Sequence, residues 1–229
     1  VYKEGNLALA KTRGDGSFGE DITIKANWIK DIRSSLGKKI SHCEIRGEIY
    51  CTEENFYTIS KEMEKIGLEK PTSQRNIVAG LSGRKDHVEL SRHLSFQAFD
   101  LISDELKLKD EHDKFLHLKS YLFSIPDFEL HKNTKTITAT IDNARTFMSE
   151  GDYQIDGLVF TLNEIDLHDQ LGSTAHHPRY KMAYKYRGDS KVTTISEIEW
   201  GVSRNGILTP VALVKPVELS GAEIRRVTL

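Results

Sequence analysis

The residues best equipped for chemistry in this chain are charged side chains set beside glycine or aromatic neighbours. Thr12-Arg13-Gly14-Asp15-Gly16, followed by Gly19-Glu20-Asp21, joins a guanidinium fork suited to phosphate or carboxylate with glycines that permit a tight turn and a close backbone approach. Arg46-Gly47-Glu48-Ile49 puts a carboxylate on a strand, where it could hold a ribose hydroxyl or a hydrated metal ion, with Gly47 leaving room for a ligand. In Ser73-Gln74-Arg75-Asn76-Ile77-Val78-Ala79-Gly80, Arg75 falls near a helix start, where side chain and backbone amides together favour anions. In Ile155-Asp156-Gly157-Leu158-Val159-Phe160 an acid opens an apolar strand, and burying it unpaired would cost roughly 3 kcal/mol or more. Ala183-Tyr184-Lys185-Tyr186 sets an ammonium between two aromatics, where it can be aimed at a phosphate. Each motif alone also has a plain reading: a hairpin turn, a solvated strand glutamate, a surface arginine, an Asp-Gly turn, a snorkelling lysine.

The order of these motifs in one chain is more specific than any of them. The series Thr12-Arg13-Gly14-Asp15-Gly16, Arg46-Gly47-Glu48, Arg75-Asn76 with Ala79-Gly80, Asp156-Gly157 and Ala183-Tyr184-Lys185-Tyr186 resembles the nucleotidyltransferase motifs of bacterial NAD-dependent DNA ligases. Leu171-Gly172-Ser173-Thr174 with Pro178-Arg179-Tyr180 is similar to the segment before that family's last lysine motif. Gly201-Val202-Ser203-Arg204-Asn205-Gly206, then Leu208-Thr209-Pro210-Val211-Ala212, is similar to its opening OB strands. The likeness is thinnest at about 103–150.

The resemblance implies an α+β fold of the covalent nucleotidyltransferase (ligase adenylation) type over 1–188, with antiparallel sheets and flanking helices. The first strands of an all-β OB-fold would follow over 189–229. It implies a lysine that takes AMP from NAD, passes it to the 5′-phosphate of a nick, and lets the 3′-hydroxyl displace it. Such chemistry needs mainly positioning and charge neutralisation. Arg13 would contact the nucleotide phosphate or the nick, and Glu48 would hold the AMP ribose and hydrated Mg²⁺. Arg75 would orient the substrate, and Asp156 would join Glu48 around the metal's water shell. Lys185 would neutralise charge on the α-phosphate, Phe99 would stack on adenine, and Gly157 would line the cofactor site. Arg84, Arg179 and Arg204 would touch DNA. The implied partner is nicked duplex DNA.

The departures from the family pattern are specific. The nucleophile motif Lys-x-Asp-Gly does not occur in these residues, and Tyr2-Lys3-Glu4-Gly5 aligns just after it. The lysine would then come from an upstream segment or from a second ligase subunit. The alternatives are a nick- or nucleotide-binding chain without catalysis and an ATP-dependent polynucleotide ligase, the latter because Phe99-Asp100-Leu101 is similar to ATP-dependent enzymes at that strand. The fourth motif normally closes on a lysine, and here that position is Thr161. An arginine expected soon after Arg75 falls on Gly83, with Arg84 one place off, and another falls on Met148, with Arg145 shifted.

Positioning these residues requires strands at Leu7–Lys11, 43–51, 94–102, Asp156–Leu162 and Met182–Tyr186. It also requires a helix capped by Thr52 and stopped by Gly67, an amphipathic helix from Glu111 to Phe123 with Phe115, Leu118 and Leu122 on one face, and a helix over Thr134–Ser149. After Gly188 the pattern becomes all-β, with strands at 192–202, 206–214 and 222–228 and turns at Asn205-Gly206 and Ser220-Gly221. With 38% hydrophobic and 29% charged residues the chain is a folding sequence, not a disordered one. A net charge of −2 limits any nucleic-acid contact to local patches such as His176–Lys181. Cys43 and Cys51 share a strand face too far apart to pair, so both are expected reduced and half-buried, which fits a cytoplasmic compartment. No apolar run is long enough to cross a membrane.

Overall fold

The computed structural model describes residues 1–229 except Ser17, Asp152, Gln154, Ala175, His176, 187–189, Arg204, Asn205, Ser220 and Gly221; for Met148, Ser149, Glu150 and Ala222 it describes the backbone alone. The chain forms two compact units, Val1–Tyr186 and Arg187–Leu229. In the first, β1 (Tyr2–Lys3), β2 (Asn6–Leu7), β3 (His42–Tyr50) and β4 (Ser95–Ile102) make an antiparallel sheet of order β2-β1-β3-β4, with the short helix α1 (Thr23–Ala26) between β2 and β3. The expected strand Leu7–Lys11 is not one. Beyond Leu7 the backbone folds back on Val1, whose carbonyl takes the amides of Ala8 and Leu9, and Ala10 donates to Thr23 Oγ1 instead of to a partner strand.

The alternation read in 43–51 sorts one face of β3 into the core. Cys43 is 0% and Cys51 2% exposed, so these thiols are fully buried, not half-buried, and both are free. Against this face pack Phe96, Ala98 and Leu101 of β4 with the helices α2 (Glu53–Lys65) and α3 (Gln74–Gly83), through Ile59, Met63, Ile77 and Leu81. Thr52 caps α2 by accepting from the Asn55 amide, and Ser73 caps α3 by accepting from Asn76.

Helix α4 (Glu111–Ser120) is shorter than its sequence pattern. Its end is a Schellman motif: the Phe123 amide reaches the Leu118 carbonyl (3.1 Å) and the Leu122 amide that of Lys119 (2.9 Å). Leu122 therefore takes a left-handed φ of 63° and stands exposed, while Phe123 enters the core in its place. Two guanidinium N–H groups of Arg33 donate to the Leu122 carbonyl, at 3.0 and 2.8 Å, and hold the turn. The same motif ends α2 with Gly67 at φ 75°.

Helix α5 (Ile137–Glu150), entered through a 3₁₀ turn at Thr134–Thr136, leads to the second sheet of this unit. That sheet is β5 (Gly157–Thr161) paired antiparallel with β6 (Lys181–Lys185), with α6 (Ile165–Leu171) between them. The loop after β5 fastens it to α4. Asn163 accepts from the Glu111 amide through its carbonyl (2.8 Å) and from the His112 amide through Oδ1 (3.2 Å), while Asp110 takes the Asp113 amide. Thus the first amides of α4 are satisfied largely by the segment that carries the second sheet.

The second unit is a three-stranded antiparallel meander, β7 (Ile195–Val202), β8 (Leu208–Leu219) and β9 (Ala222–Thr228). Ala212 and Val214 are buried, whereas Trp200, Val202 and Leu208 are exposed. The turn residues Asn205, Ser220 and Gly221 expected between these strands lie outside the described residues. No described helix is long and apolar enough to cross a membrane.

Candidate active site

The β3–β4 register fixes the first wall of the site. Glu48 stands opposite Gln97, Tyr50 opposite Ser95 and Arg46 opposite Asp100, all on the face turned away from the core. Phe99 sits at the register shift between Gly47↔Ala98 and Arg46↔Asp100, as the extra residue of a β-bulge. A bulge re-aims side chains, and Phe99 is 43% exposed in an otherwise buried stretch. Gly47 corrects an expectation. The space a Cβ would take there is filled by the Phe96 ring, at 2.2 Å, and by the Gln97 carbonyl, so this glycine serves the core and not a ligand.

The Thr12–Gly16 turn is rooted on the same wall. Glu20 N donates to Thr12 Oγ1, Phe18 N to Asp15 Oδ1, and Gly14 takes φ 54° with the Phe18 carbonyl where a Cβ would stand. Lys11 reaches Glu44 at 3.6 Å, and Glu44 also takes Arg46 at 2.6 Å. Arg13 projects from this turn, exposed and in no ion pair among the described residues; Glu48 is likewise exposed and without an ion pair.

The second wall is β5–β6. Gly157 pairs with Lys185, and a Cβ on it would lie 2.1 Å from the Tyr184 carbonyl, so this position needs glycine to bring the two strands together. Asp156 is not buried, as the apolar strand behind it had suggested. It is about 70% exposed and meets Lys185, equally exposed, at 3.3 Å. The pair lies open because this sheet has only two strands, and Val159 and Met182 are exposed on it as well.

The walls face each other. By strand periodicity Lys181, Ala183 and Lys185 share a face, and Lys181 Nζ lies 3.9 Å from Asp100 Oδ2 on the Glu48 face of β3–β4. Tyr153, just before β5, adds another tie: its hydroxyl donates to Gln97 Oε1 (3.4 Å) and its ring packs on Tyr50 at 4.7 Å.

Sequence reasoning missed the buried charged group that ties α4 to the first wall. Asp100 and Glu111, both buried, share Lys114, whose Nζ is 2.8 Å from Asp100 Oδ1 and 2.9 Å from Glu111 Oε1. Burial alone would lower the Lys114 ammonium, but its hydrogen bonds and attraction to the two carboxylates prevail and raise its pKa. His168 stacks on Tyr180 at 3.8 Å, sits 3.6 Å from Glu111, and hydrogen-bonds the Leu162 carbonyl through Nε2, which must carry the proton. The available signal was Asp100, a charge inside the apolar run Ala98–Ile102 of β4.

Other expected residues stand apart. Arg75 is exposed in the first turn of α3 and, among the described residues, enters no ion pair with Glu48. Arg84 closes α3 and donates through Nη2 to Asp86 Oδ2 at 3.2 Å, a hydrogen bond that lowers the Asp86 carboxyl. Arg179 is exposed in the turn before β6, and Arg204 lies outside the described residues. Arg145 packs over the Tyr186 ring at 5.7 Å. A cavity of about 480 Å³ opens beside the first wall, lined by Tyr50, Gln97, Lys119 and the Phe123–Phe128 loop. Among the described residues no three His, Cys, Asp or Glu side chains converge as a metal cluster.

Comparison with known proteins matches both parts of the chain. Residues 1–189 match the family model of the NAD-dependent DNA ligase adenylation domain, and residues 192–229 that of the NAD-dependent DNA ligase OB-fold domain. Over its whole length the chain is 36% identical to a DNA ligase of Borrelia garinii subsp. bavariensis, 34% to one of Gluconobacter oxydans and 32% to one of Lactobacillus delbrueckii subsp. bulgaricus. It spans 34% of the length of each of these relatives. The chain belongs to the NAD-dependent DNA ligase family, in the region of its adenylation and OB-fold domains.

Proposed function

We propose that this chain is the adenylate-handling part of a DNA ligase that seals nicks in duplex DNA with NAD as AMP donor. In that reaction a lysine nitrogen forms a bond to the α-phosphorus of NAD as nicotinamide mononucleotide leaves. AMP then passes to the 5′-phosphate at the nick, and the 3′-hydroxyl displaces it. The observation that carries the reading is the meeting of the Glu48 face of β3–β4 with the Lys185 face of β6 at Asp100–Lys181.

Lys185 neutralises phosphate charge. Its present partner Asp156 is an exposed one, and such pairs contribute only about 0–1 kcal/mol, so exchange of the carboxylate for a phosphate costs little. Glu48, exposed and without an ion pair, is free to take the ribose hydroxyls. It also fits Mg²⁺ held through water, with Asp156 as second carboxylate once Lys185 turns to phosphate; the ion would supply further charge neutralisation. Arg13 offers its fork to the phosphate, Phe99 its ring to adenine, and Gly157 lines the cofactor site by letting β6 bring Lys185 close beside β5. Arg75 orients substrate from the start of α3, and Arg84, Arg179 and Arg204 contact the DNA backbone. The nucleophilic lysine comes from a Lys-x-Asp-Gly segment outside these residues, upstream or on a second ligase subunit.

Incubating the chain, joined to such a segment, with NAD labelled in its adenylate and Mg²⁺ tests the reading. A covalent AMP adduct is expected. Its absence with both NAD and ATP refutes adenylation, and an adduct with ATP alone moves the chain to the ATP-dependent enzymes. Thr161, at the position where the family's fourth motif closes on a lysine, favours a second reading, a nick- or nucleotide-binding subunit without chemistry. Salt-sensitive binding to nicked duplex, with joining never restored by the added segment, would support that one.

A further inference from the structure

We infer that Lys181 is a nucleotide-contacting residue of this site, reading the base end of the adenylate in place of the lysine missing at position 161. The inference rests on the adenylate reading above. Thr161 and Lys181 are direct partners in the β5–β6 ladder. Side chains so opposed share a face, with Cβ atoms about 5 Å apart, so a lysine on either strand sweeps much the same volume.

The surroundings of Lys181 suit a ligand better than a structural ion pair. Its Nζ is 3.9 Å from Asp100 Oδ2, which is charge contact and not a hydrogen bond. Asp100 does not need it, because Oδ1 already holds Lys114 at 2.8 Å and accepts from the Leu101 amide at 3.0 Å. The nearest ring, Tyr180, is 5.9 Å away. The ammonium is thus held in place by Asp100 while its N–H donors make no hydrogen bond within the described residues.

Position assigns the end of the ligand it meets. Asp100 follows Phe99 in the bulge, so the Lys181 ammonium stands beside the expected adenine platform. Lys185 lies four residues further along the same face, roughly 13 Å in a strand, where it serves the phosphate. Ala183 between them carries too little side chain to block a nucleotide bridging the two lysines. An ammonium can only donate, so its target is a ring-nitrogen acceptor of the base.

The test measures AMP affinity of the full chain by calorimetry for the wild type, Lys181→Met, Lys185→Met and the swap Thr161→Lys/Lys181→Thr, with melting temperatures alongside. The expected result is at least a tenfold loss for Lys181→Met and recovery to within threefold of wild type in the swap. Ribose 5-phosphate binding, followed by NMR, should be unchanged in Lys181→Met and weakened in Lys185→Met. If Lys181→Met binds AMP like the wild type while Lys185→Met is weakened, Lys181 is a support for Asp100 and the inference fails with the site intact. A swap as weak as Lys181→Met overturns the equivalence of the two positions. A wild type that binds no AMP at millimolar concentration overturns the site reading, and this inference with it.

Discussion

Two sets of charged residues in the first unit behave oppositely. Asp100 and Glu111 are buried and share the largely covered Lys114 at 2.8–2.9 Å across β4 and α4. Arg13, Glu48 and Arg75 are exposed and enter no ion pair among the described residues. A buried charge persists only if neighbours compensate its desolvation, so the first set is fixed by the fold and ties α4 to β4. The second set contributes nothing visible to the fold. That is the pattern expected where charges are kept for a ligand. Lys185 lies between the extremes, in an exposed pair that a phosphate can replace.

The sharpest way to break this contrast is Lys114→Met, which strands two buried carboxylates. It should destabilise the chain by about 3–5 kcal/mol in urea or thermal unfolding; a loss under 1 kcal/mol would show that water reaches the network. Glu48→Gln probes the other side. Stability should stay within about 0.5 kcal/mol, while AMP affinity in the Mg²⁺-containing titration falls by roughly tenfold, the worth of one charge-assisted hydrogen bond. A variant that melts early but binds normally would place Glu48 among the structural charges.

Gly47→Ala separates a packing glycine from a ligand-facing one. Overpacking against Phe96 should cost about 1–3 kcal/mol, with the lost stability restored in part by Phe96→Leu in the same background. At the helix ends, Gly67→Ala should cost about 1 kcal/mol or slightly more, whereas Leu122→Ala should change little, since Leu122 is exposed and already carries a Cβ at φ 63°. A further effect concerns pH. Burial pushes the Cys51 thiol up to about 11 from 9.0. The unfolded chain therefore loses this proton first, and stability falls as pH rises from 9 to about 11. Unfolding curves of Cys51→Ala should show a shallower fall across that window.

Much of the framework was legible from periodicity and caps. The strands β3 and β4, the Thr52 cap, the Gly67 stop and the order of the chemical motifs stand within a residue or two of their reading. These are local properties: alternation, capping side chains and glycine conformations are set by residues near one another in sequence. The readings that changed depended on distant partners. Leu122 fits the apolar stripe of α4 but leaves it because Phe123 and Arg33 build a Schellman turn there. Asp156 opens an apolar strand yet is exposed, because β5 has a single partner strand.

The amino-acid sequence alone determined the kind of protein this is, since the spacing of its charged and glycine motifs survives without coordinates and leads to the ligase family. Only the tertiary structure decided which charges are for the fold and which are free. Asp100 and Lys181 stand about a third of the chain apart in sequence, and neither composition nor periodicity encodes that they meet. Desolvation makes that meeting decisive: a carboxylate is harmless on a strand in water, costly when buried alone, and fixed in place once Lys114 and the Leu101 amide hold it.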